Sequence, residues 1–238
     1  MTVDRSAIWV LLEGVPTDDV QRVLAIARRR TFDRGEVVFH QDDPADSLHL
    51  VVKGRFAIAR RTALGEDALL AICGRGEVFG ELALVSDQAR SATVTALDPG
   101  ETLCVHRIDF DELRARHHSV DRVLVSLLAR QLQRMNELLT EAYYETARRR
   151  VLRRLLELAA TDDQSGEEQV RITQEQLGAL AGAARATVAS VIAAEKAAGT
   201  IEVRRGITIL RDRDALTRRA GLNPPGTSVR RGRPKGPA

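Results

Sequence analysis

Cysteine is nearly missing from this 238-residue chain: Cys73 and Cys104 are its only two, each inside an apolar stretch. Two such thiols exclude a disulfide scaffold and a four-thiolate metal centre, and they point to a reducing compartment. Lysine is almost as rare, with Lys53, Lys196 and Lys235 alone, so nearly every positive charge is a guanidinium. The histidines, His40, His49, His106, His117 and His118, are scattered, and no two have the i, i+4 spacing of a helical metal pair. Neither a metal nor haem is therefore expected. A convincing nucleophile–base pair is lacking as well, so the chain does not read as an enzyme. Long apolar runs are also absent: Ser6–Leu12 falls far short of the roughly 20 residues of a membrane span. With no charged-then-apolar leader at the start, the expectation is a cytoplasmic protein without a membrane partner.

What is present is enough for real cores: 44% of the residues are apolar, over a length of one to two domains. Charge is unevenly spread. Residues 201–238 hold ten Arg and Lys against three Asp and Glu, a surplus of seven, so with a total of +3 the first 200 residues are net −4. A mildly acidic body with a basic end is a footprint of a polyanion partner.

From Thr31 to Phe110 the pattern is short apolar or alternating runs, such as "SLHLVVKGRFAIARR", punctuated by Gly35, Gly54, Gly65, Gly74 and Gly100. Turn signals 8 to 12 residues apart predict a small antiparallel sandwich or barrel. The preceding "PTDDVQRVLAIARRR" reads as a short helix with an aspartate start signal.

From Ser119 the period becomes helical. Leu124, Leu128, Gln131, Met135, Leu138 and Ala142 are spaced alternately four and three, and neither Gly nor Pro interrupts residues 119–165. One long helix, a bend near Tyr143–Arg150 and a second helix are expected. A stripe of average period 3.5 with one polar member is what a coiled-coil dimer seam looks like, and Leu127, Leu132 and Leu139 widen it enough to serve a domain face too.

After the polar hinge "TDDQSGEEQ", Thr173 and Gln176 form a capping-box signature for a helix that Gly182 stops. A second helix follows from about Ala184 to Ala198, and "TIEVRRGITIL" reads as a hairpin. Two helices about a glycine turn, then a hairpin, make a winged helix-turn-helix.

"GEVFGELALVSDQARSATVTAL" places Glu81 in a glycine-flanked apolar run and Arg90 nine residues later. With the winged helix beyond it, the chain from about residue 8 to residue 212 resembles the cyclic-AMP receptor protein/FNR superfamily of bacterial transcription regulators, and "FGELAL" with "RSATV" resembles the phosphate-binding cassette of cyclic-nucleotide-binding domains. The resemblance implies an α+β fold. Its parts would be an N-terminal cyclic-nucleotide-binding β-roll, jelly-roll-like, over residues 1–118, a dimerisation helix over 119–146, a winged helix-turn-helix over 147–222 and a basic tail over 223–238.

It implies a homodimer responsive to a cyclic nucleotide, cyclic AMP first, with double-stranded DNA and RNA polymerase as partners and no cofactor. The ligand residues would be Phe79, Gly80, Glu81, Leu82, Arg90, Ser91 and Ala92. A cyclic phosphodiester needs a guanidinium and exposed backbone N–H groups. Arg90 would take the phosphate, Ser91 would donate, Gly80 would admit the backbone, and Glu81 would accept from the ribose hydroxyl. Met135 and Asn136 fall where the family's long helix meets the purine. Asn136 suits a purine edge, while Met135 replaces a polar residue, so the alternative is a regulator of the same fold whose pocket is vestigial or differently tuned.

For DNA, Ala184, Arg185, Ala186, Thr187 and Ser190 open the recognition helix, with Arg185 suited to guanine. The family's receptor branch carries a glutamate and a second arginine where this chain has Ala186 and Ser190, so its usual half-site is not expected. Thr173, Arg204 and Arg205 are placed for phosphates, and Arg231-Gly232-Arg233-Pro234 resembles the core of an AT-hook.

Overall fold

The computed structural model describes residues 16–63, 65, 67–161 and 165–222. Arg231 and Arg233, with the rest of the tail motif, lie outside the described residues. The chain packs as two units, one through Leu139 and one from Thr140.

In the first unit, helix α1 (Thr17–Ile26) precedes eight strands: β1 (Arg28–Phe32), β2 (Val37–Phe39), β3 (Ser47–Lys53), β4 (Phe56–Arg61), β5 (Asp67–Cys73), β6 (Val78–Phe79), β7 (Thr93–Ala96) and β8 (Gly100–His106). They form two antiparallel four-stranded sheets, ordered β1-β8-β3-β6 and β2-β7-β4-β5. Phe32, Val51, Phe56, Phe79, Val94 and Ala96 come from both sheets and fill one core between them. On its other face the first sheet carries a second core, where Leu48, Leu50, Leu103 and Val105 meet α1, helix α2 (Arg107–Arg116) and the start of α3 (Asp121–Tyr144). Strand β3 is therefore buried on both faces over Ser47–Val51. Its period of two sends Leu48 and Leu50 toward the helices and His49 and Val51 toward the other sheet.

Two readings of the sequence are corrected here. The run of arginines after α1 is strand β1, not helix, since Arg28–Phe32 pairs antiparallel with β8 from Arg28↔Cys104 to Phe32↔Gly100. The aspartates do not cap α1 either; Pro16 holds that place without a side-chain bond, and Asp18 and Asp19 lie in the first turn, where carboxylates complement the positive helix end. Asp19 is 2% exposed and accepts from Ser119 Oγ at 2.6 Å.

The long helix also differs in phase from the expected seam. Val120, Val123, Leu124 and Leu127 are taken by the unit's own core. Val125, Leu132, Met135 and Leu139 are left 52–64% exposed, with Leu128 half-buried between them. The outward apolar residues are thus 125, 132, 135 and 139, with Leu128 half-buried against the core, one residue on from 124, 131 and 138, because a core-facing stripe at i, i+3, i+4, i+7 occupies the adjoining arc.

The second unit contains the last turn of α3 with α4 (Ala147–Leu158), β9 (Ala160–Thr161), β10 (Glu168–Val170), α5 (Gln174–Ala181), α6 (Arg185–Ala197), β11 (Ile201–Arg204), β12 (Ile207–Leu210) and α7 (Arg213–Arg219). The expected β11–β12 hairpin forms, and β10 and β9 extend it to the sheet β11-β12-β10-β9. The segment read as a polar hinge is thus partly strand. Val151, Leu152, Leu155, Leu177, Val188, Val191, Ile201 and Leu216 make the core. Arg153 and Arg154 of α4 hold Glu141 of α3 at 3.2 and 2.5 Å, and Arg153 also holds Glu145 at 2.6 Å.

Candidate functional site

The sequence motif around Gly80 folds into a socket. Gly80 ends the sheet at β6 with φ 76° and ψ 16° and opens a 3-10 turn over Glu81–Leu84. A Cβ there would lie 2.7 Å from Arg90 Nη1 and 3.0 Å from the Ser47 carbonyl, so only glycine fits on both backbone and space grounds. The N–H groups that start such a turn have no carbonyl behind them within it. Phe79 is 2% exposed and builds the floor, its ring 5.4 Å from Phe56. Glu81 is half-buried, Leu82 is exposed, and Ala83 and Leu84 anchor the turn in the core.

Arg90 is the centre of the socket and is 5% exposed. Its backbone is clamped from both sides by the loop before β3: Arg90 N–H donates to Asp43 O, and Asp42 N–H to Arg90 O, each at 2.9 Å. Its guanidinium donates through Nη1 to Ser47 O at 2.6 Å and to Gly80 O at 3.4 Å, and through Nη2 to Ser47 Oγ at 2.9 Å and Asp46 Oδ1 at 3.1 Å. The Phe39 ring lies beneath it, 3.9 Å from Cζ. Arg90 Nε is buried and has no partner. A buried orphan donor costs free energy unless an acceptor reaches it, so a buried N–H beside a glycine-lined turn fits an incoming anion.

Arg90 pairs with Asp46 rather than with Glu81. Burial pulls the guanidinium below the ordinary arginine range, opposed by Asp46. Burial also works against Asp46, but the Ser47 hydroxyl and Arg90 hold its carboxyl below the usual range. Glu81 moves the other way: burial raises it, and its own backbone N–H and Arg90 offset only part of the rise. A half-buried carboxylate that forms no ion pair among the described residues is suited to accept from a neutral hydroxyl.

Of the remaining ligand residues read from sequence, Ser91 is exposed beside Arg90 and Ala92 is buried behind it. Met135 and Asn136 sit on the exposed stretch of α3, about two turns beyond Leu127 and Leu128. Sequence reasoning missed Asp46, Ser47 and Phe39, which hold Arg90 from 44, 43 and 51 residues away. The only trace of them in the chain is "DSLHL", an acid and a hydroxyl opening an apolar strand.

In the second unit α5 and α6 meet at 109° about Gly182, which is left-handed at φ 55° and ψ 44°. The capping box forms, with Gln176 N–H donating to Thr173 Oγ1 at 3.1 Å and Thr173 N–H to Gln176 Oε1 at 2.9 Å. Arg150 braces the turn by donating to Ala181 O and Gly182 O, each at 2.8 Å.

Val188, Val191, Ile192 and Glu195 face inward from α6. Ala184, Arg185, Ala186 and Ser190 stand exposed together at its open end, with Thr187 half-buried. Glu195, fully buried, is held by Arg148 at 2.9 Å, Arg219 at 2.5 Å and Thr200 Oγ1 at 2.8 Å, which ties α6 to α4, α7 and the hairpin. In the wing, Arg204 bonds Glu202 at 2.8 Å and Glu167 at 3.4 Å, while Arg205 at the hairpin tip is exposed. Neither Arg185 nor Arg205 has an acidic partner among the described residues.

A β-roll with a buried arginine socket, followed in the same chain by a winged helix with an exposed arginine at its open end, fits a ligand-binding, DNA-binding regulator. Comparison with known proteins agrees with that class. Residues 29–117 match the family model for the cyclic nucleotide-binding domain and residues 149–219 that for the Crp-like helix-turn-helix domain. The chain is 33% identical to the cyclic AMP receptor protein of Thermus thermophilus, over 85% of this chain and 92% of that one. It is 28% identical to the CRP-like cAMP-activated global transcriptional regulator of Mycobacterium tuberculosis, over 88% and 96%. A solved CRP-family transcriptional regulator from Thermus thermophilus superposes with a TM-score of 0.67 at 25% identity, covering 82% of this chain and 97% of that one. The chain belongs to the Crp/Fnr family of cyclic-nucleotide-binding, DNA-binding transcription regulators.

Proposed function

We propose that this regulator responds to cyclic AMP and acts as a homodimer on a two-fold symmetric DNA site. The observation that carries the ligand is Arg90, buried, with one N–H unmatched behind a turn that only glycine can form. Arg90 takes the cyclic phosphate, with Ser91 and the backbone of the Glu81–Leu84 turn as further donors, and Glu81 takes the ribose hydroxyl. Asn136 and Met135 meet the base. The names of the two relatives, a cyclic AMP receptor and a cAMP-activated regulator, support cyclic AMP as the nucleotide.

The exposed side chains of Val125, Leu132, Met135 and Leu139, with half-buried Leu128 among them, support pairing of two long helices, since large apolar side chains at 3.5-residue spacing seek a partner seam. Nucleotide would bias how the helices pair and so the spacing of the two α6 helices, a population shift between dimer states. Arg185 reads a guanine, and Arg205, with Thr173, meets phosphates. The protein acts in the cytoplasm, with RNA polymerase as its downstream partner.

The test is a thermal-shift and calorimetric panel of cyclic AMP and cyclic GMP, followed by gel shifts on genomic fragments with and without the nucleotide. A rise in melting temperature with cyclic AMP, coupled to a change in DNA affinity, is expected. DNA binding indifferent to every cyclic nucleotide would establish a vestigial pocket instead.

A further inference from the structure

We propose that His49 is a positioning residue for the anion socket, fixing the direction of the Ser47 hydroxyl and through it the Arg90 guanidinium. The proposal rests on the reading of Arg90 as the anion's partner. His49 is 3% exposed in strand β3, within an otherwise aromatic box: the Phe79 ring stacks on it at 5.1 Å and 8°, with Phe39 at 6.1 Å and Phe32 at 6.3 Å. A phenyl ring would fill such a box on packing grounds alone. The imidazole instead aims each nitrogen at a buried hydroxyl, Nδ1 lying 3.0 Å from Thr102 Oγ1 and Nε2 3.5 Å from Ser47 Oγ.

Burial, aided by Arg90 and Arg30, lowers the His49 pKa to about 3, so the ring is neutral near pH 7, with one nitrogen donating and the other accepting. Ser47 decides which. Its hydroxyl has one proton, and that proton goes to Asp46 Oδ1 at 2.8 Å, while Arg90 Nη2 donates to the same hydroxyl oxygen at 2.9 Å. Nε2 must then carry the hydrogen and face the second lone pair of Ser47, leaving Nδ1 to accept from Thr102. The Cys104 thiol, buried alongside, is too weak a partner to compete.

The result is one directed chain, Thr102 to His49 to Ser47 to Asp46, that keeps Ser47 an acceptor for Arg90. The Nε2 link is the longest of the set, and it occupies the second lone pair of Ser47, which fixes the hydroxyl from the ring side. With the other tautomer Ser47 would turn its proton to the ring, and Asp46 would lose the tie that holds it against Arg90.

The experiment is a calorimetric titration of cyclic AMP and cyclic GMP into the full-length wild type, His49→Phe, Ser47→Ala and the double variant. His49→Phe keeps the stack and removes both nitrogens. It should weaken binding about ten-fold, because the second lone pair of the buried Ser47 hydroxyl then has no donor and the hydroxyl is no longer fixed from the ring side. The double variant should bind no more weakly than Ser47→Ala alone, because the two residues act in series.

Ring-nitrogen NMR of the wild type supplies a readout independent of how any variant folds: a protonated-type shift at His49 Nε2 and an unprotonated-type shift at Nδ1, becoming a mixture in Ser47→Ala. Additive losses in the cycle, an unchanged affinity in His49→Phe, or the opposite tautomer would each overturn the proposal. A wild type that binds neither nucleotide overturns the anion reading of Arg90 and this role with it. A wild type that binds, with an additive cycle, removes only the role of His49.

Discussion

Arg90 and Arg185 each open an element, one leading into β7 and the other heading α6, yet their surroundings are opposites. Arg90 is 5% exposed, four acceptor contacts already direct its guanidinium, and one N–H is left over. Arg185 is exposed and has no acidic partner among the described residues. On the proposed function the first is a socket for one small anion at a fixed point, where desolvation strengthens the contact and orientation sets selectivity. The second is a probe for a polymer that approaches from solvent, where reach matters and salt screens the long-range attraction. The β-unit buries a cation and supplies carbonyls, a hydroxyl and Asp46. The winged-helix unit buries an anion, Glu195, and supplies Arg148, Arg219 and Thr200, leaving Arg185 exposed.

The largest effect that would break this symmetry is expected at Glu195. Glu195→Ala leaves two arginines facing an empty core position, and loss of one partner of a buried charge cluster costs about 3–5 kcal/mol. Thermal unfolding should show the loss in the second unit with nucleotide binding retained. Burial acts against the Glu195 carboxylate, but its bonds to Thr200, Arg219 and Arg148 prevail and hold it below the ordinary glutamate value. Its stabilisation is thus complete above that value and is lost as pH falls through the lower, folded-state value. Melting temperatures scanned downward from pH 5 should fall more steeply in wild type than in Glu195→Ala.

Next comes Arg90→Gln, which should weaken cyclic AMP binding at least about a hundred-fold, or about 2.7 kcal/mol, and abolish the nucleotide-induced thermal shift. Retained binding would show that the socket is not the anion site. Glu81 supplies a pH arm on the same side. Burial raises its pKa, so it gains a proton at higher pH than an ordinary glutamate, and a protonated acid is a poorer acceptor for a ribose hydroxyl. Affinity for cyclic AMP should therefore decline as pH drops from 7 toward 5, and Glu81→Gln should flatten that slope.

On the DNA side the effects are smaller and of two kinds. Arg185→Ala should cost about 1–3 kcal/mol and relax the preference at one base position in a binding-site selection. Arg205→Ala should weaken all sequences alike and lower the salt slope by about one. If Arg205→Ala altered sequence preference instead, the wing would be reading bases and the contrast between the two arginines would need a third term.

Much of this was legible in one dimension because the signals are local. The capping box at Thr173 and Gln176, the left-handed stop at Gly182 and the hairpin about Arg205-Gly206 depend on residues within a few positions of each other, and all three form. The socket turn at Gly80 is also local. The partners of Arg90 are not: Asp46 and Ser47 reach it only because the loop before β3 folds against residue 90. The phase of α3 was missed for a related reason. Leu124 and Val125 are both apolar, and only the packing of Val120, Val123, Leu124 and Leu127 in the core decides which stripe is left outside. The short strands β9 and β10 carry no alternation long enough to read, and they exist by pairing with β12.

By itself, then, the sequence determined the order of the parts: a β-rich half, a long helix, and a winged helix. Periodicity, caps and glycine conformations carry that much because each is settled within a turn or two of chain. Tertiary structure alone decided that Arg90 is held by Asp46 and not by Glu81, that Glu195 is a clamp and not a surface charge, and that His49 stands in an aromatic core with both nitrogens directed. Such facts depend on which distant groups share a desolvated volume, where an unpaired charge or donor is most costly, and no spacing along the chain encodes that.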